Sequence, residues 1–233
     1  MVMCPLTLDE CNKSILPRPK MAFVMAPSRD KVTPRLSQLI AEVESILSRH
    51  SLRSLEGSEI IDFGDYLCSI CKNIQGCALG IAISGPDIPA DALSNIFWEA
   101  GFMQGFGKPV ILMADDKVNL PSDFARSFTV FFNRQDYQAK LSSLVEALVG
   151  RRDYYVHTLG DLALEARDYE KAGRYYMEAY LIGADSTSLG RVGKVTKMLK
   201  RDASIPYGYK RRLLDNLSAF NKEASRGSDQ GLI

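Results

Sequence analysis

Two kinds of apolar pattern alternate along the chain as far as residue 149. Short runs of consecutive apolar residues predict buried strands at residues 21–25, 52–55, 77–83, 109–113 and 128–132. Between these runs apolar residues recur at helical spacing, which predicts helices around residues 36–47, 63–74, 96–104 and 141–148. Strands that alternate with helices predict an α/β domain over residues 21–149, with a parallel sheet and right-handed crossovers.

The residue types beside these segments indicate where some of them begin and end. Asp62 has a side chain typical of an N-cap and is predicted to begin the second helix. The third helix is predicted to begin near Ser94 and to end at Gly105 and Gly107, because glycine commonly ends helices. Residues 1–20 mix prolines with polar residues and show no period, so an N-terminal arm is predicted there.

After Gly150 no strand pattern remains, and residues 150–224 are predicted to form a helical extension with a flexible tail at residues 225–233. Within the extension, residues 153–185 indicate two antiparallel helices that match the small and large positions of one tetratricopeptide repeat. Those positions are Leu159, Gly160, Ala163, Ala172, Tyr176 and Ala179, with a turn at residues 167–169. Because a lone repeat leaves apolar faces uncovered, we expect it to pack on residues 192–199, on residues 209–220, on the first domain or on a second subunit.

Charge and cysteine content exclude several classes of protein. There are 14 basic and 17 acidic residues before Gly150, and 15 and 11 after it, which gives −3 and +4. Neither part has the clustered Lys and Arg residues, interleaved with aromatics, of a nucleic-acid groove, so no nucleic-acid partner is expected. The five cysteines are odd in number and lie partly in apolar segments, which predicts free thiols and a cytoplasmic location.

No metal site and no membrane segment are expected from the sequence. Cys68 and Cys71 have C-x-x-C spacing, but no second pair or ligand-spaced histidine accompanies them, and they lie in a helical pattern. No apolar stretch reaches the 18 or more residues of a membrane span, and the first 20 residues do not resemble a cleavable leader.

Polar side chains follow the predicted strands, at the edge of the sheet where the carboxyl ends meet. Ligands of parallel α/β sheets bind at this edge, beside the point at which the strand order reverses. Ser28 and Arg29 follow the first strand, where backbone amides and a guanidinium would hold a phosphate. Ser84 begins the loop after the third strand, and Asp87 in the same loop is either a ligand for a base or hydroxyl or an ordinary turn residue. Asp115 follows the fourth strand.

Glu99 lies in an otherwise apolar stretch of small residues, between Trp98 and Ala100. A buried carboxylate is costly without a partner, and in an apolar setting it would suit a chemical role on an electron-poor anomeric carbon. The alternative is a first-turn glutamate that complements the helix dipole. Trp98 either stacks on a base or belongs to the core.

Three segments together resemble a known group of proteins. They are FVM at residues 23–25, ALGIAI at residues 78–83 and NIFWEAGFMQGFGKPVIL at residues 95–112. Over about 130 residues this series resembles the TIR-like and nucleoside 2-deoxyribosyltransferase-like group, whose members read roughly N-x-x-x-E-L/I-G-x-A/M-x-A-x-G-K-P-V-I. The resemblance implies a five-stranded parallel, flavodoxin- or Rossmann-like sheet of order 2-1-3-4-5, flanked by helices and followed here by the all-α extension.

The same resemblance implies roles for several residues. Glu99 matches the glutamate that acts on the N-glycosidic carbon, as a nucleophile in the deoxyribosyltransferases or as an oxocarbenium stabiliser in TIR NAD hydrolases. Ser94 and Asn95 lie near the substrate-facing loop and would hydrogen-bond ribose or phosphate. Two departures leave the substrate open: Ala100 replaces the usual Leu or Ile, and Pro27 stiffens the first loop.

We therefore expect an enzyme that cleaves or transfers the N-glycosidic bond of NAD, a nucleoside or a nucleotide, with no cofactor and no metal. The alternative is a non-catalytic nucleotide sensor or adaptor, in which the tetratricopeptide-like hairpin assembles protein partners. Because TIR-like enzymes commonly work when assembled and a lone hairpin exposes apolar surface, a homo-oligomer is also expected.

Overall fold

A computed structural model describes residues 15–28, 31–57, 66–118, 120 and 128–229 of the chain. Five strands form one all-parallel sheet in the order β2-β1-β3-β4-β5. The strands are β1 (Met21–Met25), β2 (Arg53–Glu56), β3 (Leu79–Ser84), β4 (Val110–Ala114) and β5 (Phe128–Phe131). The α/β class and the strand order expected from the sequence are confirmed.

The helices of the α/β domain are α1 (Pro34–Arg49), α2 (Tyr66–Gly76), α3 (Ala90–Gly105) and α4 (Tyr137–Glu146). The prediction that the third helix begins near Ser94 is wrong, since α3 begins at Ala90, directly after Pro89. None of the residues of its first turn, 90–93, is fully buried, and the apolar period that the sequence analysis followed begins only at Ile96. The predicted cap Asp62 lies outside the described residues.

The strand order places α1 and α3 on opposite faces of the sheet. The chain moves one way from β1 to β2 and the other way from β3 to β4, so the right-handed rule for parallel crossovers places their helices on opposite faces. Helix α4 shares the face of α1 and contacts it, whereas α2 lies on the face of α3. Two separate helix layers therefore cover the sheet.

Gly80 in β3 allows α3 to approach the sheet closely. A Cβ at this position would lie 2.5 Å from both Met103 Sδ and Met25 Cε. Because side chains alternate along a strand, Ser84, four residues further along β3, lies on the same α3 face of the sheet.

The helical extension consists of a π-helical turn (Ala147–Arg151) and the helices α5 (Arg152–Glu165), α6 (Tyr169–Gly183), α7 (Ser186–Arg201) and α8 (Tyr207–Asp229). Helix α8 ends later than residue 224, the predicted end of the extension. None of the described helices is both long enough and apolar enough to cross a membrane. The three cysteines within the described ranges, Cys68, Cys71 and Cys77, are free thiols.

Helices α5 and α6 form the predicted hairpin. A Cβ at Gly160 would lie 2.5 Å from the ring of Tyr176, so the small residue makes room for the large one, and the Tyr176 hydroxyl donates to Asp161 at 2.6 Å. The inner face of the hairpin packs against α7 and α8, through Val192, Val195, Leu199 and Leu217. The chain itself covers this apolar face, and the homo-oligomer stays a prediction.

The extension also covers the amino edge of the sheet. Ala78, just before β3, packs against Val156, Ala179 and Ile182. The Lys20 amide donates to the Leu181 carbonyl at 2.8 Å. Since the extension occupies the amino edge, the carboxyl edge remains the place for a ligand.

Candidate active site at the carboxyl edge

The carboxyl edge carries the candidate residues on both faces of the sheet. Glu99, Asn95, Trp98 and Ser84 belong to the α3 face, whereas Asp87 lines a cavity on the α1 face. The structure therefore divides the predicted site residues between two places.

Glu99 lies in the third turn of α3, because the helix begins at Ala90. Helix-dipole stabilisation falls off within the first turn, so complementing the dipole does not explain this residue. The interpretation of Glu99 as a first-turn glutamate that complements the helix dipole is therefore wrong.

The carboxyl of Glu99 points towards the ends of β1 and β2. A Cβ at Gly57, the residue after β2, would lie 3.9 Å from Glu99 Oε1 and 3.9 Å from Phe23 Cζ. Burial raises the pKa of Glu99 from 4.5 to about 7. Within the part of the chain that the structure describes, no hydrogen bond or ion pair to this carboxyl occurs. The result is a desolvated carboxyl group whose charge changes near neutral pH.

Ser84 is the second polar group at this edge without a partner. The residue is fully buried at the end of β3, in register with Ala114 of β4. Its Oγ atom has no hydrogen-bond partner among the described residues. A buried hydroxyl without a hydrogen-bond partner lowers the free energy of unfolding. Such a group is typical of a site where function and stability conflict.

The other predicted residues on α3 are exposed. The Ser94 hydroxyl is exposed and donates to the Ala90 carbonyl at 2.8 Å, a local bond that needs no ligand. Asn95 is exposed and lies one turn before Glu99, on the same flank of the helix. Trp98 is 41% exposed and stacks on Phe102, with ring centroids 5.1 Å apart and an interplanar angle of 10°. One face of the indole is thus covered by Phe102.

The predicted phosphate loop is described only in part. Ser28 is exposed after β1, and its carbonyl accepts the Lys31 amide at 2.8 Å. Arg29 lies outside the described residues.

A cavity of about 160 Å³ opens at the same edge, on the α1 face. One of the residues that line it, the exposed Asp87, was predicted from sequence as a site residue. Arg35 in the first turn of α1 was missed. Its guanidinium contacts Asp115 Oδ2 at 3.3 Å and lies 5.6 Å from the ring centre of Phe132. The signal available in the sequence was its place just after the β1 loop, since the N-terminus of a crossover helix lies at the ligand-binding edge.

In the described ranges of the chain, no group of three His, Cys, Asp or Glu residues is arranged to hold a metal ion. No family model matches the chain, and no curated protein or solved structure is significantly similar to it.

Proposed function

We propose that the protein cleaves or transfers the N-glycosidic bond of NAD, a nucleoside or a nucleotide, with Glu99 acting at the anomeric carbon. The observation that carries this proposal is the Glu99 carboxyl, desolvated and without a partner among the described residues, at the carboxyl edge of a parallel sheet. The resemblance of residues 95–112 to the TIR-like and deoxyribosyltransferase-like group supports the same reaction class.

The ionised form of Glu99 would do the chemistry. As the bond between C1′ and the base breaks, its electron pair leaves with the base, and positive charge develops on the sugar. A carboxylate beside C1′ either stabilises this charge or bonds to the carbon, after which water supplies the oxygen and releases a proton. The desolvated position strengthens the attraction between the carboxylate and the sugar cation.

Neighbouring groups on the same face of the sheet would position the substrate. The exposed Asn95 amide, one turn before Glu99, would hydrogen-bond a sugar hydroxyl. The buried Ser84 hydroxyl is available as a hydrogen-bond donor. The exposed surface of Trp98 is available for stacking on the base.

A base-release assay tests the proposal. Purified protein is incubated with NAD, and separately with nucleosides, deoxynucleosides and their monophosphates, and free base is quantified by liquid chromatography. We expect release by the native protein and a loss of at least about 100-fold in Glu99→Gln. Glu146→Gln, an exposed glutamate of α4, is the matched control and should keep full activity.

The pH dependence gives a second readout of the same residue. Because the ionised form is needed, kcat/KM should rise with pH up to about 7 and then level off. The absence of base release from every substrate, or undiminished release by Glu99→Gln, contradicts the proposal.

A second candidate function is nucleotide binding without cleavage. It is favoured by Trp98, whose indole is 41% exposed and available to stack on a base whether or not the base is released. Calorimetry followed by product analysis separates the two candidates, because a binding protein returns its ligand intact.

A further inference from the structure

The cavity on the α1 face has the construction of a small-ligand site. Its walls come from α1, from the turn between β3 and α3, and from the segment after β5. The apolar part of the lining consists of Leu36, Leu39, Ile88, Phe132 and Tyr137. Apolar walls with a few polar groups at the rim are typical of sites that bind small organic molecules.

The aromatic wall of the cavity is held in place. Phe132 lies under the Arg35 guanidinium, at 5.6 Å from its ring centre, and close to Gly85, where a Cβ would be 3.5 Å from Phe132 Cζ. Arg35 is in turn bound to Asp115, which is 2% exposed and also accepts the Lys117 amide at 3.0 Å. These contacts fix the ring without needing a ligand, so the site is formed in advance.

The charges at the rim favour a ligand that donates hydrogen bonds. The lining holds two carboxylates, Asp87 and Glu42, and one cation, Arg35, whose charge is matched by Asp115. Glu42 accepts from Gln38 at 3.0 Å and from Gln138 at 3.2 Å. Asp87 has no hydrogen bond or ion pair within the described part of the chain and therefore remains available. An anionic ligand would meet net repulsion here.

The size of the cavity limits the ligand further. The cavity volume is about 160 Å³. Pockets that enclose a drug-sized ligand hold roughly 300 Å³ or more. One ring system with a small substituent fits, whereas the phosphates of a nucleotide would remain outside.

We propose that this cavity is a second ligand site, separate from Glu99, that binds a planar nitrogen heterocycle bearing an amino or carboxamide group. The ring packs between Phe132 and the aliphatic side chains of α1, and the amino group donates to Asp87. Free adenine and nicotinamide belong to this class. The inference stands on the cavity alone and does not depend on catalysis by Glu99.

A matched pair of ligands tests the charge argument. Nicotinamide and nicotinate have the same ring and nearly the same size, but nicotinate is anionic and lacks the amide donor. The measurement is a titration followed by the methyl resonances of Leu36, Leu39 and Ile88, with nicotinamide, adenine and nicotinate each added up to about 10 mM. We expect nicotinamide and adenine to shift these resonances, and nicotinate to bind about tenfold more weakly.

Variants connect the binding to the cavity. Asp87→Asn changes an exposed side chain and should weaken nicotinamide binding about fivefold or more. It should also reduce the ratio between the affinities for nicotinamide and nicotinate. Asp91→Asn is the matched control, since Asp91 is exposed four residues later and does not line the cavity. Leu39→Trp fills the cavity and should abolish binding, with thermal unfolding recorded to confirm that the variant is folded.

Glu99→Gln separates this inference from the proposed function, because it should leave nicotinamide binding unchanged even where it abolishes base release. The inference is overturned if the cavity resonances do not shift, if nicotinate binds as well as nicotinamide, or if Glu99→Gln removes the binding.

Discussion

The amino and carboxyl edges of the sheet differ in how particular polar side chains are paired. At the amino edge, Arg152 of α5 pairs with Glu178 of α6 and donates to the Gly107 carbonyl at 2.9 Å. At the carboxyl edge, Glu99 is desolvated and the Ser84 hydroxyl is buried, both without partners among the described residues. Glu99 and Ser84 at the carboxyl edge thus lack the pairing that Arg152 and Glu178 have at the amino edge.

This difference indicates where stability and function are located. Unpaired buried polar groups reduce the free energy of unfolding, so a fold retains them where they serve a ligand. Paired groups and covered apolar surface, as between Ala78 and the extension, increase that free energy. We therefore expect substitutions at the amino edge to change stability and substitutions at the carboxyl edge to change binding or catalysis.

A pair of glycine substitutions should give the largest contrast between the edges. At the amino edge, a Cβ at Gly76 would lie 1.9 Å from the Leu16 carbonyl oxygen, whereas a Cβ at Gly85 on the carboxyl edge would meet Phe132 at 3.5 Å. Gly76→Ala should lower the free energy of unfolding by at least about 3 kcal/mol, and Gly85→Ala by less than about 1 kcal/mol. Urea denaturation measures both, and equal effects would remove the contrast.

Removal of the Glu178 carboxylate should have the next largest effect. Its side chain is 12% exposed, and without it Arg152 and the half-buried Lys108 would lose the carboxylate that offsets their charges. Burial and Arg152 already lower the pKa of Lys108, while Glu178 opposes that shift. Glu178→Gln should cost about 2–3 kcal/mol in the free energy of unfolding.

A second variant tests whether this loss of stability is caused by the uncompensated charges. Adding Lys108→Met to Glu178→Gln should recover part of the loss, because one of the two uncompensated cations is removed. If the double variant is less stable than Glu178→Gln, the electrostatic explanation fails.

The pH dependence of stability should reveal Glu99. Its pKa is about 7 in the folded chain and 4.5 when unfolded, so between these values the folded protein holds a proton that the unfolded chain has released. Stability from this group is therefore greatest below pH 4.5, falls as pH rises, and is constant above pH 7.

The size of this effect follows from the shift, which is worth about 2–3 kcal/mol after allowance for partial exposure. Denaturation midpoints of native protein and Glu99→Gln are compared from pH 4 to pH 8. The gap between the two curves should change between about pH 4.5 and pH 7 and stay constant above pH 7, and a gap that is constant throughout would show that the Glu99 carboxyl is solvated.

Ser84→Ala should have the smallest effect on stability, and in the opposite direction. Because the Ser84 hydroxyl is buried and unpaired, its removal should leave the free energy of unfolding unchanged or raise it by about 1 kcal/mol. Base release should decrease in the same variant if the hydroxyl contacts substrate. A loss of more than about 1 kcal/mol would show that Ser84 is a structural residue instead.

Much of the α/β domain could be predicted from sequence because its signals are local. The continuous apolar run ending in β3 and the glycines after α3 are read directly from neighbouring residues. The start of α3 was misplaced, since its first turn carries no apolar period and only Pro89 marks it. Because of that error, Glu99 was interpreted as a residue near the positive end of the helix dipole, whereas it lies in the third turn.

The division of the site between two faces could not be predicted in the same way. It depends on contacts between distant residues, such as Arg35 with Asp115, which are 80 residues apart in the chain. The orientation of Glu99 towards Gly57 likewise depends on how α3 packs against β3 and β1. Spacing along one segment indicates a residue's helix face, but not the strand or loop that this face meets.

A direct titration of Glu99 tests the central claim that its carboxyl is desolvated at the carboxyl edge. The protein is labelled with carboxyl-¹³C glutamate, and the Glu99 resonance is assigned by its absence from Glu99→Gln. We expect a midpoint of about 7 in the native protein. A midpoint near the ordinary value of 4.5 would contradict the account, because it would show a solvated side chain with no special role.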